Sequence, residues 1–238
     1  MKILLIIPAF NEESNILNVY NNIKEYNDSH KNLKVDYIVI NDCSRDNTLK
    51  ILKDNSINHI NLISNLGIGG AVQTGYKYAY KNDYDIAIQF DGDGQHDVNF
   101  IPNICKPLIE KKADMCIGSR YLDDETSEFR SSFMRRIGKN IISIIIKIFT
   151  GMKITDPTSG FRAANKKIIS LFASDYPVDY PEPESIENSI KHGYKVVEAP
   201  VSMNERVGGK SSINIFKSIH YMLKVSITLI IDSFSLRK

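Results

Sequence analysis

The sequence predicts an α/β fold in which helices cover both faces of a mainly parallel sheet. Two observations indicate this fold. Short apolar runs alternate with stretches of helical apolar spacing along the first half of the 238 residues, and such alternation is typical of parallel sheets. Polar and acidic residues directly follow several of the apolar runs, and this is where ligands of such sheets bind.

Five short apolar runs predict buried strands. They cover residues 2–7, 37–41, 60–64, 86–90 and 115–118. A strand that is covered on both faces carries apolar residues at successive positions, and each run has the length of a strand rather than of a helix.

Helices are predicted between the first four strands. Apolar residues of the first helix share one face, and they are Ile16, Tyr20 and Ile23. The second helix begins near Thr48, and Asp46 is suited to cap it. The third helix is entered through three glycines and then shows helical apolar spacing: Gly67, Gly69, Gly70, Val72, Tyr76 and Ala79.

The second half of the chain is less regular. We predict a helix over residues 130–149, a loop over 155–162, a helix over 183–192 closed by Gly193, a strand over 196–201 and a helix from 211 onward. The first of these helices has an apolar side with Phe133, Ile137, Ile141, Ile144, Ile145 and Ile148, and a polar side with Arg136, Asn140, Ser143 and Lys147.

Composition limits the class of protein. Apolar residues make up 42% of the chain, which excludes global disorder, and a net charge of +2 gives no signal of nucleic-acid binding. Three cysteines without metal-ligand spacing, Cys43, Cys105 and Cys116, predict a reducing compartment. Because no uncharged stretch reaches the roughly 18 residues of a membrane span, we expect a cytoplasmic protein that is at most peripheral to a membrane.

Positive charge is concentrated in two segments. Residues 129–155 contain six bases and no acid, and residues 206–238 contain six bases and one acid. The rest of the chain is acidic. This asymmetry indicates an anionic surface as a partner.

Asp91-Gly92-Asp93 directly follows the strand predicted at residues 86–90. Side chains alternate along an extended chain, so carboxylates two positions apart point the same way. Two anions that repel each other are stabilised by a shared divalent cation, and Gln95 and His96 add ligand atoms nearby. The alternative is an ordinary Asp-Gly turn at the end of a strand.

Asn11, Glu12 and Asp42 follow the first two predicted strands. Asn11 and Glu12 either cap the helix that begins near Glu13 or contact a ligand. The Asp42 carboxylate only accepts hydrogen bonds, so it suits the N–H groups of a nucleotide base; an Asx turn is the alternative.

Five motifs resemble those of the family 2 glycosyltransferases and occur in the expected order. They are Pro8-Ala9-Phe10-Asn11-Glu12-Glu13, Asn41-Asp42-Cys43-Ser44-Arg45-Asp46-Asn47-Thr48, Asp91-Gly92-Asp93-Gly94-Gln95-His96, Gly118-Ser119-Arg120 and Asp156-Pro157-Thr158-Ser159-Gly160-Phe161-Arg162. One such motif is weak, whereas five in order are specific. The resemblance implies a GT-A fold, a metal-dependent nucleotide-sugar site and inverting transfer.

Two further stretches are similar to motifs of the dolichol-phosphate mannose synthases and bacterial polyprenyl-phosphate glycosyltransferases. One is the glycine-rich segment at residues 66–71, and the other is Arg206-Val207-Gly208-Gly209-Lys210-Ser211. No transmembrane pair follows, unlike in many relatives. This subgroup implies a polyprenyl-phosphate acceptor and a product used for cell-surface polysaccharide.

The resemblance also assigns a donor site and a metal site. A UDP- or GDP-sugar would contact Pro8, Ala9, Asn11, Glu12, Asp42, Gly67, Asp91 and Gly92. Mg²⁺ or Mn²⁺ would be held by Asp91 and Asp93, with Gln95 as the third ligand, and would neutralise charge on the departing diphosphate.

Basic residues complete the predicted catalytic set, which is Asp93, Arg120, Arg136, Arg206 and Lys210. Arg120 is either a phosphate contact, as the resemblance implies, or an ordinary surface residue. Arg206 and Lys210, with Arg135 or Arg136, would steer the acceptor phosphate, since Arg and Lys both bind phosphate oxygens.

Glu182 and Glu184 lie where many family members have a Glu-Asp pair whose Asp deprotonates a sugar hydroxyl. A hydroxyl acceptor needs a general base, and either Glu could serve. A phosphate monoester is already an anion at pH 7 and needs none. The missing Asp therefore favours a lipid phosphate, and a hydroxyl of a growing glycan is the alternative. Both acids also suit the first turn of a helix.

The expected organisation is a GT-A catalytic domain over residues 1–205, with a donor half at about 1–120 and an acceptor half at about 121–205. An acceptor loop and an amphipathic helix follow over 206–238. The basic amphipathic helices fit the cytoplasmic face of a membrane. Packing on the domain, a homo-oligomer or a small membrane-protein partner are the alternatives.

Two other functions are less consistent with the sequence. A nucleotidyltransferase would carry a glycine-rich basic loop after its first strand, and residues 8–13 are not such a loop. A non-catalytic binder of nucleotide sugars has no need of the metal ligands that this chain retains.

Overall fold

The computed structural model describes residues 1–122, 133–204, 224–229 and 231, with the backbone alone for residues 133–136. The elements in chain order are β1 (Ile3–Ala9), α1 (Ile16–Ser29), β2 (Asp36–Asn41), α2 (Thr48–Asp54), β3 (His59–Asn61), α3 (Gly67–Lys81), β4 (Ile86–Gln89), α4 (Ile101–Ile109), β5 (Met115–Ser119), α5 (Phe133–Thr150), β6 (Arg162–Asn165), α6 (Lys166–Ser174), α7 (Pro181–Lys191) and β7 (Val196–Pro200). Residues 224–229 are also helical.

The described strands form one seven-stranded sheet in the order β3-β2-β1-β4-β6-β5-β7. Strand β6 is antiparallel to its neighbours β4 and β5, and the other neighbouring pairs are parallel. The predicted mainly parallel α/β sheet is therefore confirmed. The sequence did not predict β6, α4 or α6.

Two apolar cores lie on opposite faces of the sheet, because side chains alternate along each strand. In β1, Ile3, Leu5 and Ile7 pack with α1, α2 and α4. Leu4 and Ile6 point the other way and pack with α3, α5, α6, α7 and the 224–229 helix. Helices therefore cover both faces, as predicted.

The glycine-rich segment is the first turn of α3 rather than a separate loop. A Cβ at Gly69 would overlap the backbone carbonyls of Pro177 and Val178, and a Cβ at Gly75 would overlap the Ile6 side chain. Among the glycines of α3, only Gly67 has a positive φ, +74°. Gly69 and Gly75 therefore serve close packing of α3 against its neighbours.

Helix α5 is apolar on two sides, and it buries only one of them. Ile142 and Ile146 are buried in the core, and the Ser143 hydroxyl donates to the Ile154 carbonyl. An exposed stripe runs along the opposite side and consists of Ile137, Ile141, Ile144 and Ile148. The sequence did not separate these faces because α5 is apolar around most of its circumference.

The C-terminal helix predicted from residue 211 lies mostly outside the described residues. Within residues 224–229, Val225 and Leu229 are buried against the core and Ile227 is exposed. No helix among the described residues is long and apolar enough to span a bilayer.

We predict that Gly75→Ala destabilises the fold by about 1–2 kcal/mol. Alanine favours a helix by about 1 kcal/mol over glycine. The added methyl group would overlap Ile6 Cγ2 and lie 2.9 Å from Ile6 Cγ1, so we expect a cost of about 2–3 kcal/mol, in the upper part of the range for overpacking. Urea unfolding measures the difference. Lys77→Ala, at an exposed position of the same helix, should change the free energy of unfolding by less than about 0.5 kcal/mol. A more stable Gly75→Ala protein would show that α3 does not pack this tightly on β1.

Candidate active site

The carboxyl ends of β1, β2 and β4 open into a cleft of about 310 Å³. These three strands are parallel neighbours, so the segments that follow them meet at one edge of the sheet. The cleft is lined by Pro8, Ala9, Phe10, Glu12, Asp42, Asn65, Gly67, Ile68, Ala71, Asp91, Gly92 and Asp93. Of the donor-site and metal-site residues assigned from sequence, the lining lacks Asn11 and Gln95.

Asp91 is held from the protein interior by His96. The Asp91 backbone N–H donates to His96 Nδ1 at 2.9 Å, and His96 Nε2 lies 3.6 Å from Asp91 Oδ2. Burial lowers the pKa of His96 to about 4, although the Asp93 charge opposes this shift. The imidazole is therefore neutral at physiological pH, and it stacks on Phe161 at 4.8 Å. His96 is a buried support for Asp91, not a surface residue.

Two further residues lie against the Asp91 carboxylate. They are Gly160, in the segment before β6, and Gln89 at the end of β4. A Cβ on Gly160 would lie 2.8 Å from Asp91 Oδ2 and 3.0 Å from Gln89 Nε2. Gln89 Nε2 donates to Asp91 Oδ1 at 3.4 Å. Backbone and side chain thus limit the positions open to this carboxylate.

Asp93 and Gln95 lie in the tight turn after Asp91. The Asp93 Oδ1 accepts from the Gln95 N–H at 3.0 Å, and the Gln95 carbonyl accepts from the Asn204 N–H at 2.8 Å. No group of three or more His, Cys, Asp or Glu side chains within the described ranges is arranged to hold a metal. Asp91 and Asp93 are the carboxylates of this turn that line the cleft, and they could supply oxygens to a cation there.

The Asp42 carboxylate lines the cleft and also binds the N-terminus of α3. Its Oδ1 accepts from the Leu66 N–H at 2.7 Å and its Oδ2 accepts from the Gly67 N–H at 2.9 Å. A carboxylate at a helix N-terminus is stabilised by the helix dipole. Asp42 therefore orders residues 66–67, a role that neither the base contact nor the Asx turn expected from sequence included.

Asn11 and Glu12 are placed differently from each other. Asn11, with φ +57°, is exposed, and its Oδ1 accepts from the Arg45 N–H at 2.8 Å, so it orders the loop after β2. Glu12 lines the cleft, and its Oε2 accepts from Asn15 Nδ2 at 2.8 Å. Asp46 Oδ1 accepts from the Thr48 N–H at the start of α2 at 2.9 Å, but the N-cap residue is Asn47 and not Asp46 as predicted.

Arg120 forms a buried ion pair. Its Nε donates to Asp156 Oδ2 at 2.7 Å and its Nη2 donates to Asp156 Oδ1 at 2.8 Å. Asp156 is fully buried, and its N–H donates to Glu198 Oε1 at 2.8 Å. The guanidinium is therefore engaged by a carboxylate, an arrangement that differs from both sequence-based expectations, a phosphate contact and a free surface residue.

Glu182 and Glu184 lie in the first turn of α7. Burial raises the pKa of the half-buried Glu182 carboxyl, the Arg162 charge opposes this effect, and the Asp91 charge adds to it. Glu184 is 9% exposed. Glu182 therefore belongs to the same group of interacting charges as Asp91.

Sequence reasoning assigned no role to Gln89 and Gly160, which lie against Asp91, or to Arg162, which binds the Ser159 carbonyl. Gly160 and Arg162 belong to the motif at residues 156–162. Their presence in this motif was the sequence feature that could have indicated a role. Arg206 and Lys210 lie outside the described residues, as do the side chains of Arg135 and Arg136.

Comparison with known proteins identifies the fold. A chain of glucosyl-3-phosphoglycerate synthase from Mycobacterium tuberculosis, crystallised with Mn²⁺, UDP and phosphoglyceric acid, superposes with a TM-score of 0.70 at 16% identity, covering 100% of this chain and 80% of that one. At this identity the likeness concerns the fold alone. It confirms the GT-A architecture.

Curated relatives are similar over most of their length. UDP-N-acetylglucosamine–dolichyl-phosphate N-acetylglucosaminyltransferase of Methanococcus voltae is 35% identical over 72% of this chain and 72% of its own. Polyprenol monophosphomannose synthase of Mycolicibacterium smegmatis is 25% identical over 94% of this chain and 85% of its own. The family model described as glycosyl transferase family 2 matches residues 4–172. The chain therefore belongs to glycosyl transferase family 2.

Proposed function

We propose that the protein transfers a sugar from a nucleotide-sugar donor to a polyprenyl phosphate, with inversion at the anomeric carbon. The observation that carries this proposal is the charge of the cleft. Glu12, Asp42, Asp91 and Asp93 line it, and none of its described lining residues is Lys or Arg. An anionic diphosphate would be repelled by these carboxylates unless a cation accompanied it.

The donor set suits a hard divalent ion. Asp91 and Asp93 supply carboxylate oxygens at one end of the cleft, and Mg²⁺ and Mn²⁺ bind such oxygens together with phosphate. Lewis-acid neutralisation of the departing diphosphate is the chemistry that the ion would supply there. We assign the nucleoside of a UDP- or GDP-sugar to the lining formed by Pro8, Ala9 and Asp42.

The acceptor phosphate would act as the nucleophile. One of its oxygens forms a bond to the anomeric carbon while the bond from that carbon to the diphosphate oxygen breaks, and a nucleoside diphosphate leaves. This oxygen needs no general base, because a phosphate monoester is ionised at pH 7. We assign steering of the acceptor phosphate to Arg136, Arg206 and Lys210. The names of the relatives from Methanococcus and Mycolicibacterium support this acceptor class.

One observation favours a second candidate, transfer to a sugar hydroxyl. The Glu182 carboxyl interacts with Asp91 and has a raised pKa, and catalytic bases are frequently perturbed in this way. Glu182 or Glu184 would then remove the proton from the hydroxyl.

The exposed stripe of α5 supports a membrane location for the lipid acceptor. Four isoleucines form the stripe, and the surrounding sequence from residue 129 to 155 is basic without any acid. Apolar side chains enter the interfacial region of a bilayer and each adjacent base is attracted to anionic lipid. We therefore place the protein peripherally at the cytoplasmic face of the cell membrane. A homo-oligomer or a small membrane-protein partner is the alternative occupant.

We predict that Asp91→Asn and Asp93→Asn each lower turnover at least about 100-fold, because each removes one charge from the metal donor set. Release of nucleoside diphosphate is measured over a panel of nucleotide sugars with Mn²⁺ or Mg²⁺ and a polyprenyl phosphate. Asp97→Asn is the matched control, since Asp97 lies in the same loop but caps a short 3-10 turn. Undiminished turnover in either cleft variant would contradict the assignment.

Glu182→Gln distinguishes the two acceptors. With a polyprenyl phosphate we expect turnover to fall less than about tenfold, because no base is required, whereas loss of a general base typically costs 10²–10⁴-fold. Glu184→Gln, in the same helical turn, is assayed in parallel. A loss above about 100-fold in either variant would favour a hydroxyl acceptor.

The double substitution Ile141→Ser and Ile144→Ser should weaken binding to vesicles of phosphatidylglycerol and phosphatidylcholine at least about tenfold, since burying one isoleucine contributes about 1.5–3 kcal/mol. Flotation of the full chain with vesicles measures this. Ile63→Ser, at a fully exposed site after β3, should have little effect. Unchanged flotation with an altered sedimentation coefficient would instead indicate that the stripe contacts another copy.

A further inference from the structure

Arg162 is a fully buried cation on the core side of the cleft. It lies in β6, where it is paired with Gln89 of β4 on one side and Ile117 of β5 on the other. Burying a guanidinium is costly unless its donors are satisfied. Its hydrogen bonds therefore identify what it is fixed to.

The guanidinium joins two segments that are distant in sequence. Its Nε donates to the Ser159 carbonyl at 3.1 Å, and its Nη2 donates to the same carbonyl. Its Nη1 donates to the Glu182 carbonyl at 2.9 Å and to the Ser185 hydroxyl at 2.8 Å. The planar fork of Arg thereby fixes the turn before β6 against the start of α7.

The turn that Arg162 holds is the one that abuts Asp91. Ser159 immediately precedes Gly160, and a Cβ at Gly160 would lie 2.8 Å from Asp91 Oδ2, so a side chain there would displace this carboxylate. Gln89, the strand partner of Arg162, donates to the other Asp91 oxygen at 3.4 Å. One contact of Asp91 thus comes from the turn that Arg162 anchors, and another comes from the strand partner of Arg162.

We propose that Arg162 is a positioning residue for the Asp91 carboxylate, acting through the Ser159–Gly160 backbone. This proposal rests on the proposed function, in which Asp91 helps to hold a divalent ion. Loosening the turn lets the carboxylate leave its place beside Asp93, so the affinity of the pair for a cation falls. The role requires a side chain that donates two hydrogen bonds to the Ser159 carbonyl and also reaches α7. The single ammonium group of Lys lacks the planar fork of Arg that makes these bonds together.

The test is a titration of Mn²⁺ alone into the full chain, followed by the electron paramagnetic resonance signal of free Mn²⁺. We expect Arg162→Lys to weaken Mn²⁺ binding about 10–100-fold, the usual effect of removing a group that orients a metal ligand. Gly160→Ala disturbs the same turn without altering Arg162 and should act in the same direction. Ser185→Ala removes one Arg162 contact on the α7 side only and should change the affinity less than about twofold.

Double substitutions separate positioning from general damage to the fold. If Arg162 acts through Asp91, then adding Arg162→Lys to Asp91→Asn should cause little further loss of Mn²⁺ affinity, because the two sites are coupled. Full additivity, or wild-type affinity in both Arg162→Lys and Gly160→Ala, would overturn the proposal. If the wild-type chain binds no Mn²⁺, or Asp91→Asn binds it equally well, the metal assignment under the proposed function fails as well. The two failures are therefore distinguishable.

Discussion

The structure depends on keeping two like charges together at the end of β4. Asp91 and Asp93 line one cleft although their carboxylates repel each other. The neutral His96 beneath Asp91, the Gln89 amide beside it and the backbone at Gly160 restrain the first of these carboxylates. None of these three groups carries a net charge. They restrain the Asp91 carboxylate without neutralising it, so its negative charge remains to attract a cation.

A third carboxylate of the cleft has a different use. Asp42 accepts two of the N–H groups at the start of α3, so an anion of the protein already uses part of the helix end that could attract a phosphate. This leaves less positive charge there for the diphosphate of a donor. Arg120 does not supply it freely either, since it is bound in a bidentate pair with Asp156. Under the proposed function, a divalent ion at Asp91 and Asp93 would supply this charge.

The sequence predicted the parallel part of the sheet and the acidic residues at its edge, because apolar runs followed by carboxylates are local signals. It did not predict β6, whose residues 162–165 are Arg-Ala-Ala-Asn. Such a segment has little strand propensity of its own, and its extended form results from pairing with β4 and β5 on either side. Because β6 was not predicted, the contacts near Asp91 were not predicted either. The antiparallel pairing of β6 with β4 is what brings Gly160 and Arg162 to this part of the structure. The sequence also left open which side of α5 is buried, because Ile142 and Ile144 are the same residue type and only tertiary contacts bury the first and expose the second.

Stability alone does not explain an arginine at position 162. A buried ion can often be replaced by apolar residues of similar volume with no loss, or with a gain, of stability, and the surroundings of Arg162 include buried Tyr76 and Tyr176, whose pKa values are raised by burial and lowered by its charge. An apolar side chain would fill the same space but could not join the Ser159 carbonyl to the start of α7. The guanidinium is therefore best understood by what it holds in place, which is the backbone that limits the position of Asp91.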